Sequence, residues 1–393
     1  MSTFHPDEIN AIESRAQTEH KLDVMRRYYG QYPSIIAQSK SNKFDNSHIW
    51  LIDVFAGAGL HASANHPEGA VYGTAMLACV YARGVQRQFP KSQIHVRLVD
   101  VEENYCAKLT ERTHRFRHEE NNPVDVQVLC TDWADAIPQI VQEIQTVSPN
   151  SLSLWFIDPY GPTVLTFERL QTLLKTHGAE IIINLDATGL NRMRGVVQSP
   201  KAIYNAQVRD QASLHRGQLD AIYWSSYWEE PGTHLKVRPG MTLEDQLAEA
   251  YLLSFKRFRG HAYPLRSSDN QRRYLIHLSR SPYAEKTFRD TYEASLKVGL
   301  AKGKALTDTE CGQHAKLLFD LYQGTEVSIE DLHEGQATAL NRAQLRRVAS
   351  YADAHQYGTF AGDTITWNAE PPAIPEMPTK KRKNQPQMDL FEI

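Results

Sequence analysis

Cysteine is scarce in this sequence: there are four in 393 residues, Cys79, Cys106, Cys130 and Cys311, and none stands in CxxC spacing. That pattern predicts neither a zinc site nor a disulfide framework, so no metal is expected. An apolar run of roughly 18 residues is also lacking, as is a charged-then-apolar leader, so the expectation is a cytoplasmic protein with no membrane span. Charge of one sign is not in excess. Lys and Arg number 43 against 46 Asp and Glu, a formal net charge of −3, so any contact with nucleic acid must be a local patch. A phosphate-cradling P-loop, GxxxxGK followed by Ser or Thr, is missing as well.

What is present begins with IWLIDVFAGAGLH at residues 49–61. The apolar run reads as a strand buried on both faces, and it breaks at Asp53 into a turn carrying Phe55, Gly57 and Gly59, where the backbone must pass close to a ligand. Gly57, Gly59 and Ala62 also fit the looser dinucleotide pattern GxGxxA, but HASANHPEG continues as a loop rather than a helix. QIHVRLVDVEEN (93–104) and VDVQVLCTDW (124–133) read as second and third strands ending in Asp100 and Asp132. In an open parallel sheet, ligands bind at the carboxyl ends of the strands, so the three acids would face one crevice. Each also fits the simpler role of capping the next helix, Asp132 most readily.

SLSLWFIDPYGP (151–162) reads as the fourth strand, ending in an Asp-Pro-aromatic-Gly corner. Asp158 and the Pro159 carbonyl would accept the hydrogens of an amino group and aim its lone pair at an electrophilic methyl. Tyr160 would stack on a base, a contact worth about 1–3 kcal/mol in single-strand recognition, with Gly161 completing the turn. A plain strand end followed by a Pro/Gly turn is the alternative.

Taken in order, these motifs resemble class I S-adenosylmethionine (SAM) methyltransferases, and more specifically the three-Cys-motif partner (TcmP) family. The segments that carry the resemblance span most of residues 20–290: HKLDVMRRYYGQY, IDVFAGAG, the GTAMLA helix start, FIDPYGP and EIIINLDATGLNRMRG. DPYG is more distantly similar to the Asp-Pro-Phe-Gly motif of tRNA guanine-N2 methyltransferases and to the (D/N)PPY motif of amino-methyltransferases. The resemblance implies SAM as cofactor, with Asp53 by its methionine part, Asp100 on the ribose hydroxyls and Asp132 near the adenine amine. It also implies a terminal antiparallel strand pair and, as a partner, a three-Cys-motif protein encoded nearby.

The expected organisation is an α/β protein with a Rossmann-like sheet, a helical insertion, a C-terminal winged-helix-like module and a disordered tail. Residues 1–47 read as an N-terminal helical segment, helical over 4–40 by the spacing of Ile9, Ile12, Leu22, Met25, Tyr29 and Tyr32. Residues 48–300 read as the methyltransferase-like domain, with 187–255 as a helical cap in which Arg192 and Arg194 suit a phosphate or plain solvation. HAYPLRS and RRYLIHLSRS read as a hairpin. Residues 305–370 read as short helices and a hairpin whose Arg342, Arg346 and Arg347 suit a nucleic-acid backbone, although such appendages serve equally as protein-interaction modules. The tail, 371–393, is proline-rich and then basic, and it ends in QMDLF, where Gln387, Met388, Leu390 and Phe391 resemble the bacterial sliding-clamp-binding pentapeptide. The expected function is methylation of an amino nitrogen on a base of DNA or RNA, in a bacterial or phage setting. Two alternatives stay open: a SAM-dependent transferase acting on a nucleotide, small molecule or protein, and a SAM-binding scaffold for the three-Cys protein.

Overall fold

The computed structural model describes residues 10–13, 16–41, 47–62, 70–118, 124–148, 151–176, 178–237, 241–255, 258–265, 272–297, 306, 308–322, 324, 326–329, 332 and 342–369. Its centre is a seven-stranded sheet formed by β1 (Ser47–Asp53), β2 (Ser92–Asp100), β3 (Asp125–Cys130), β4 (Leu152–Ile157), β5 (Ala179–Asp186), β6 (Arg259–Pro264) and β7 (Arg273–Ser279). The strand order is β3-β2-β1-β4-β5-β7-β6. The first five strands are mutually parallel, while β7 runs antiparallel to both β5 and β6. The order reverses between β1 and β4, the switch point beside whose strand carboxyl ends open α/β sheets commonly bind ligands.

Apolar residues on both faces of these strands make the sheet a middle layer. In β1, Ile49 and Leu51 join one core cluster while Trp50 and Ile52 join the other, as the two-residue period of a strand requires. The first face is covered by α1 (Ala16–Ser41), α2 (Thr74–Gln88) and α9 (Pro282–Lys297), and it receives Tyr28, Tyr29, Leu77 and Phe288. The second is covered by α4 (Trp133–Val147), α5 (Phe167–Lys175) and the insertion, whose helices are α6 (Ala187–Val197), α7 (Ala206–Tyr223) and α8 (Leu243–Leu253). Full burial of each such aliphatic or aromatic chain contributes about 1.5–3 kcal/mol, so the two-faced core outweighs any local propensity.

The expected helix over residues 4–40 starts later. Asn10–Glu13 instead forms a strand that pairs in parallel with Leu60–Ala62, which in turn pairs with Ala70–Tyr72. Backbone pairing with a distant segment leaves no trace in side-chain periodicity.

The expected antiparallel hairpin is the β6–β7 pair. After α9, the chain adds α10 (Asp308–Tyr322), β8 (Glu326–Ser328), α11 (Arg342–Ala354), β9 (Gly358–Ala361) and β10 (Thr364–Trp367). The three strands form an antiparallel sheet in the order β8-β10-β9, with Phe319, Leu345, Val348, Ile365 and Trp367 in a separate small core. Glu330, Asp331, Glu334 and the whole 371–393 tail lie outside the described residues. Among the described residues, no helix is long and apolar enough to cross a membrane.

Candidate functional site

The turn after β1 is built to be rigid. Asp53 is fully buried; its carboxylate accepts from the Phe55 amide at 3.1 Å and from the Thr74 hydroxyl at 2.6 Å, so it ties the turn to the start of α2. Burial dominates its titration and raises the carboxyl to about 7, although Thr74 and the Phe55 amide pull the other way. Gly57 and Gly59 have φ of 58° and 81°, a region that costs other residues dearly. A Cβ on Gly59 would lie 2.9 Å from Met76 Cγ and 3.0 Å from Leu109 Cδ2. Phe55 packs against Trp133, with ring centroids 5.5 Å apart.

Asp100 closes the other side of the turn. One oxygen accepts from the Gly57 amide at 2.8 Å and the other from Glu102 at 2.9 Å. Asp132, at the end of β3, caps α4 by accepting from the Ala134 amide at 2.8 Å, which is the simpler of its two expected roles. Asp186 at the end of β5 does the same for α6, through the Gly189 amide at 2.9 Å.

Asp158 sits just past β4, on the far side of the switch point. Lys21 of α1 donates to one carboxylate oxygen in a buried ion pair, and Asn184 of β5 donates to the other at 2.6 Å. Burial pushes the Asp158 carboxyl up, yet the Lys21 charge and hydrogen bond, with Asn184, hold it below its ordinary value. Because the Asn184 amide must present its NH2 to the carboxylate, its oxygen is left buried without a partner. Lys21 and Asp158 also act on His61, which burial, followed by Lys21, drops to about 4. Tyr29, whose hydroxyl is buried without a partner, lies within electrostatic reach of Asp53.

Tyr160 projects from the corner with 86% of its surface exposed. Tyr105, in the first turn of α3 (Glu103–Arg117), has its hydroxyl pKa raised by its own burial and next by the Tyr160 phenol, which lies within electrostatic reach. A side chain added at Gly161 would meet nothing within 4 Å, so the corner is open. Pro159 is buried beneath it.

The structure thus brings Asp53, Phe55, Gly57, Gly59 and Asp100 together in one hydrogen-bonded turn at the carboxyl end of β1, with Asp158 within electrostatic reach of Asp53, while Asp132 caps α4. The arginines are elsewhere and largely engaged. Arg194 spends its fork on the carbonyls of Trp228 and Glu229 at 2.8–3.1 Å, fastening the insertion, and Arg192 is exposed 3.8 Å from Asp186. In the C-terminal module Arg346 makes a two-pronged contact with Asp363 at 2.8 Å, and Arg347 lies 3.5 Å from Asp308. The side chain of Arg342 and the whole of Gln387, Met388, Leu390 and Phe391 fall outside the described residues.

Lys21, Asn184, Thr74, His61 and Tyr105 were not singled out by motif reading. Lys21 and Asn184 do stand inside two segments that carry the family resemblance, HKLDVMRRYYGQY and EIIINLDATGLNRMRG, which was the available signal. Among the described residues, no group of three or more His, Cys, Asp or Glu is placed to hold a metal ion.

The fold defines an α/β protein built on an open, mostly parallel seven-stranded sheet whose strand order reverses between β1 and β4. No protein-family model matches the chain. No curated protein matches it either. Among solved structures, a Legionella pneumophila protein described under the family model DUF519 is similar at 12% identity, over 69% of this chain and 90% of its own, with a TM-score of 0.33.

Proposed function

We propose that this chain is a SAM-dependent methyltransferase that modifies an amino nitrogen of a nucleic-acid base. The observation that carries the reading is a cluster of hydrogen-bond acceptors at the β4 corner: the ionised Asp158 carboxylate and the partnerless Asn184 oxygen, beside the glycine turn of β1. An amine is a donor, and a buried acceptor without a partner is costly, so such a corner favours an N–H-bearing guest.

The residues fit SAM. Two glycines with positive φ allow close backbone approach, and Asp100 uses two of its roughly four acceptor positions, leaving room for a pair of hydroxyls. When bound, SAM supplies an electrophilic sulfonium methyl. Asp158 accepts an N–H of the incoming amine, orienting its lone pair, while Lys21 and Asn184 hold the carboxylate in place and keep it ionised. Tyr160 and Tyr105 stack on the planar acceptor at the mouth. The same reading takes the resemblance to three-Cys-motif partners as kinship, the C-terminal module as a winged helix that docks nucleic acid, and the QMDLF tail as a clamp-binding peptide.

Binding tests the first step. At about 100 times its dissociation constant, SAM or S-adenosylhomocysteine stabilises the protein by roughly 2.7 kcal/mol, a visible rise in Tm. Gly57→Val removes that rise, since valine resists φ near 58°. A rise with NAD or ATP and none with SAM refutes the cofactor assignment. Mass spectrometry of nucleosides from cells with and without the active protein identifies the acceptor.

A further inference from the structure

A second recess lies away from the strand ends, where α1 and α2 meet the C-terminal module. About 170 Å3 of open space is bounded there by Gly30 and Ser34 of α1, Tyr81, Arg83 and Arg87 of α2, and Tyr322 of α10. A cavity of about 150 Å3 admits a molecule as large as benzene, so one tetrahedral oxyanion fits.

Tyr81 in its wall, and Arg26 behind it within electrostatic reach, hold polar groups that the fold leaves wanting. Tyr81 is 5% exposed, and its buried hydroxyl has no hydrogen-bond partner. Arg26, one turn before Gly30, is 4% exposed; its Nε and one terminal nitrogen lack partners too. Its nearest carboxylate, Asp23, stands 3.7 Å away and is hydrogen-bonded to Arg27 at 3.0 Å. Arg26 and Tyr81 lie within each other's electrostatic reach. Arg83 and Arg87 are one helical turn apart, so both guanidinium groups project on the same side of α2. Glu326 is the acid that faces this space. Buried donors without acceptors, set among arginines, call for an anion, and guanidinium forks match the several oxygens of a phosphate better than a single point charge would.

We propose that this cleft is a phosphate-binding site, with Tyr81 as a buried donor, Arg26 as buried positive charge, and Arg83 and Arg87 as the cationic wall. The site is independent of the strand-end reading. It also has a mechanical consequence: a phosphate held there contacts both the sheet domain and the C-terminal module, and so stiffens their junction. The phosphate comes either free, as the inorganic ion or a nucleotide, or as part of a nucleic-acid backbone.

Full-length wild type, Tyr81→Phe and Arg87→Ala are compared in two arms: Tm against inorganic phosphate, with chloride at equal ionic strength as control, and binding of a short single-stranded oligonucleotide. Tyr81→Phe keeps the ring and removes only a hydroxyl that bonds to nothing, so folding is not at stake. The expected result is a phosphate-specific rise in Tm whose apparent affinity falls about tenfold in each variant, the size of one charge-assisted hydrogen bond. Sensitivity to both variants in the oligonucleotide arm alone supports the site with nucleic-acid backbone as its source. Absence of variant-sensitive binding in both arms overturns the proposal.

Discussion

The carboxylates Asp53 and Asp158 stand at the ends of neighbouring parallel strands, β1 and β4, and the fold treats them in opposite ways. Asp53 meets only neutral donors, the Phe55 amide and the Thr74 hydroxyl, so burial wins and its carboxyl rises to about 7. Asp158 meets the ammonium of Lys21 and falls below its ordinary value despite the burial that pushes it up. The difference is one side chain delivered by α1. A helix that lies outside the alternating α/β pattern therefore decides which of the two acids is charged near neutral pH. Asp53, fully enclosed, serves as a strut of the glycine turn; Asp158 is the acid available at the open corner.

Removing the ion pair gives the sharpest break in that contrast. Lys21→Met and Asp158→Asn each leave a buried charge uncompensated and should cost about 3–5 kcal/mol in denaturant unfolding. The double variant, with neither charge, should regain much of that loss. Additive single effects would show that the two groups are not coupled. If Asp158 orients the substrate, turnover in Asp158→Asn should also fall roughly 10²–10³-fold while SAM affinity holds, and the stability-restored double variant should remain inactive.

Next in size is a pH effect confined to Asp53. Its folded pKa is raised, so its contribution to stability is full below the unfolded value near 4 and is lost as pH climbs to about 7. The wild-type unfolding free energy should fall across that interval. Asp53→Asn should flatten the slope while lowering stability at acidic pH, since its NH2 is a donor and cannot take over the bond that one of the two carboxyl oxygens now accepts. An unchanged slope would mean that another group titrates there. Asp158 works in the reverse direction: its contribution is present above about 4 and is lost on acidification.

The smallest effect is expected far from the crevice. Arg346 and Asp363 form a well-aligned pair, but both are half exposed or more, where water and salt screen the charges. Arg346→Ala should leave Tm essentially unchanged. If the module docks on nucleic acid, the variant should still bind it, because this guanidinium is already held by the hairpin; a large loss of binding would show that the pair opens on contact.

The local motifs and the identity of the strands were legible in the sequence because their signals are short-range. Three strands ending in acids, a glycine turn and an Asp-Pro corner all lie within stretches of about a dozen residues, where apolar runs and turn residues speak directly of backbone geometry. The role of each acid was not legible. From the sequence Asp53, Asp100 and Asp132 look alike, yet one is a buried strut, one bridges two turns and one caps a helix.

The sequence alone therefore determined that β1, β2, β3 and β4 exist and that each ends at or just before an acid. Only the tertiary structure decided that β4 lies beside β1, that β7 inserts between β5 and β6, and that Lys21 crosses 137 positions of chain to meet Asp158. The physical reason is that an ion pair or a strand order depends on which surfaces bury one another, a property of the whole packed core that no local window contains.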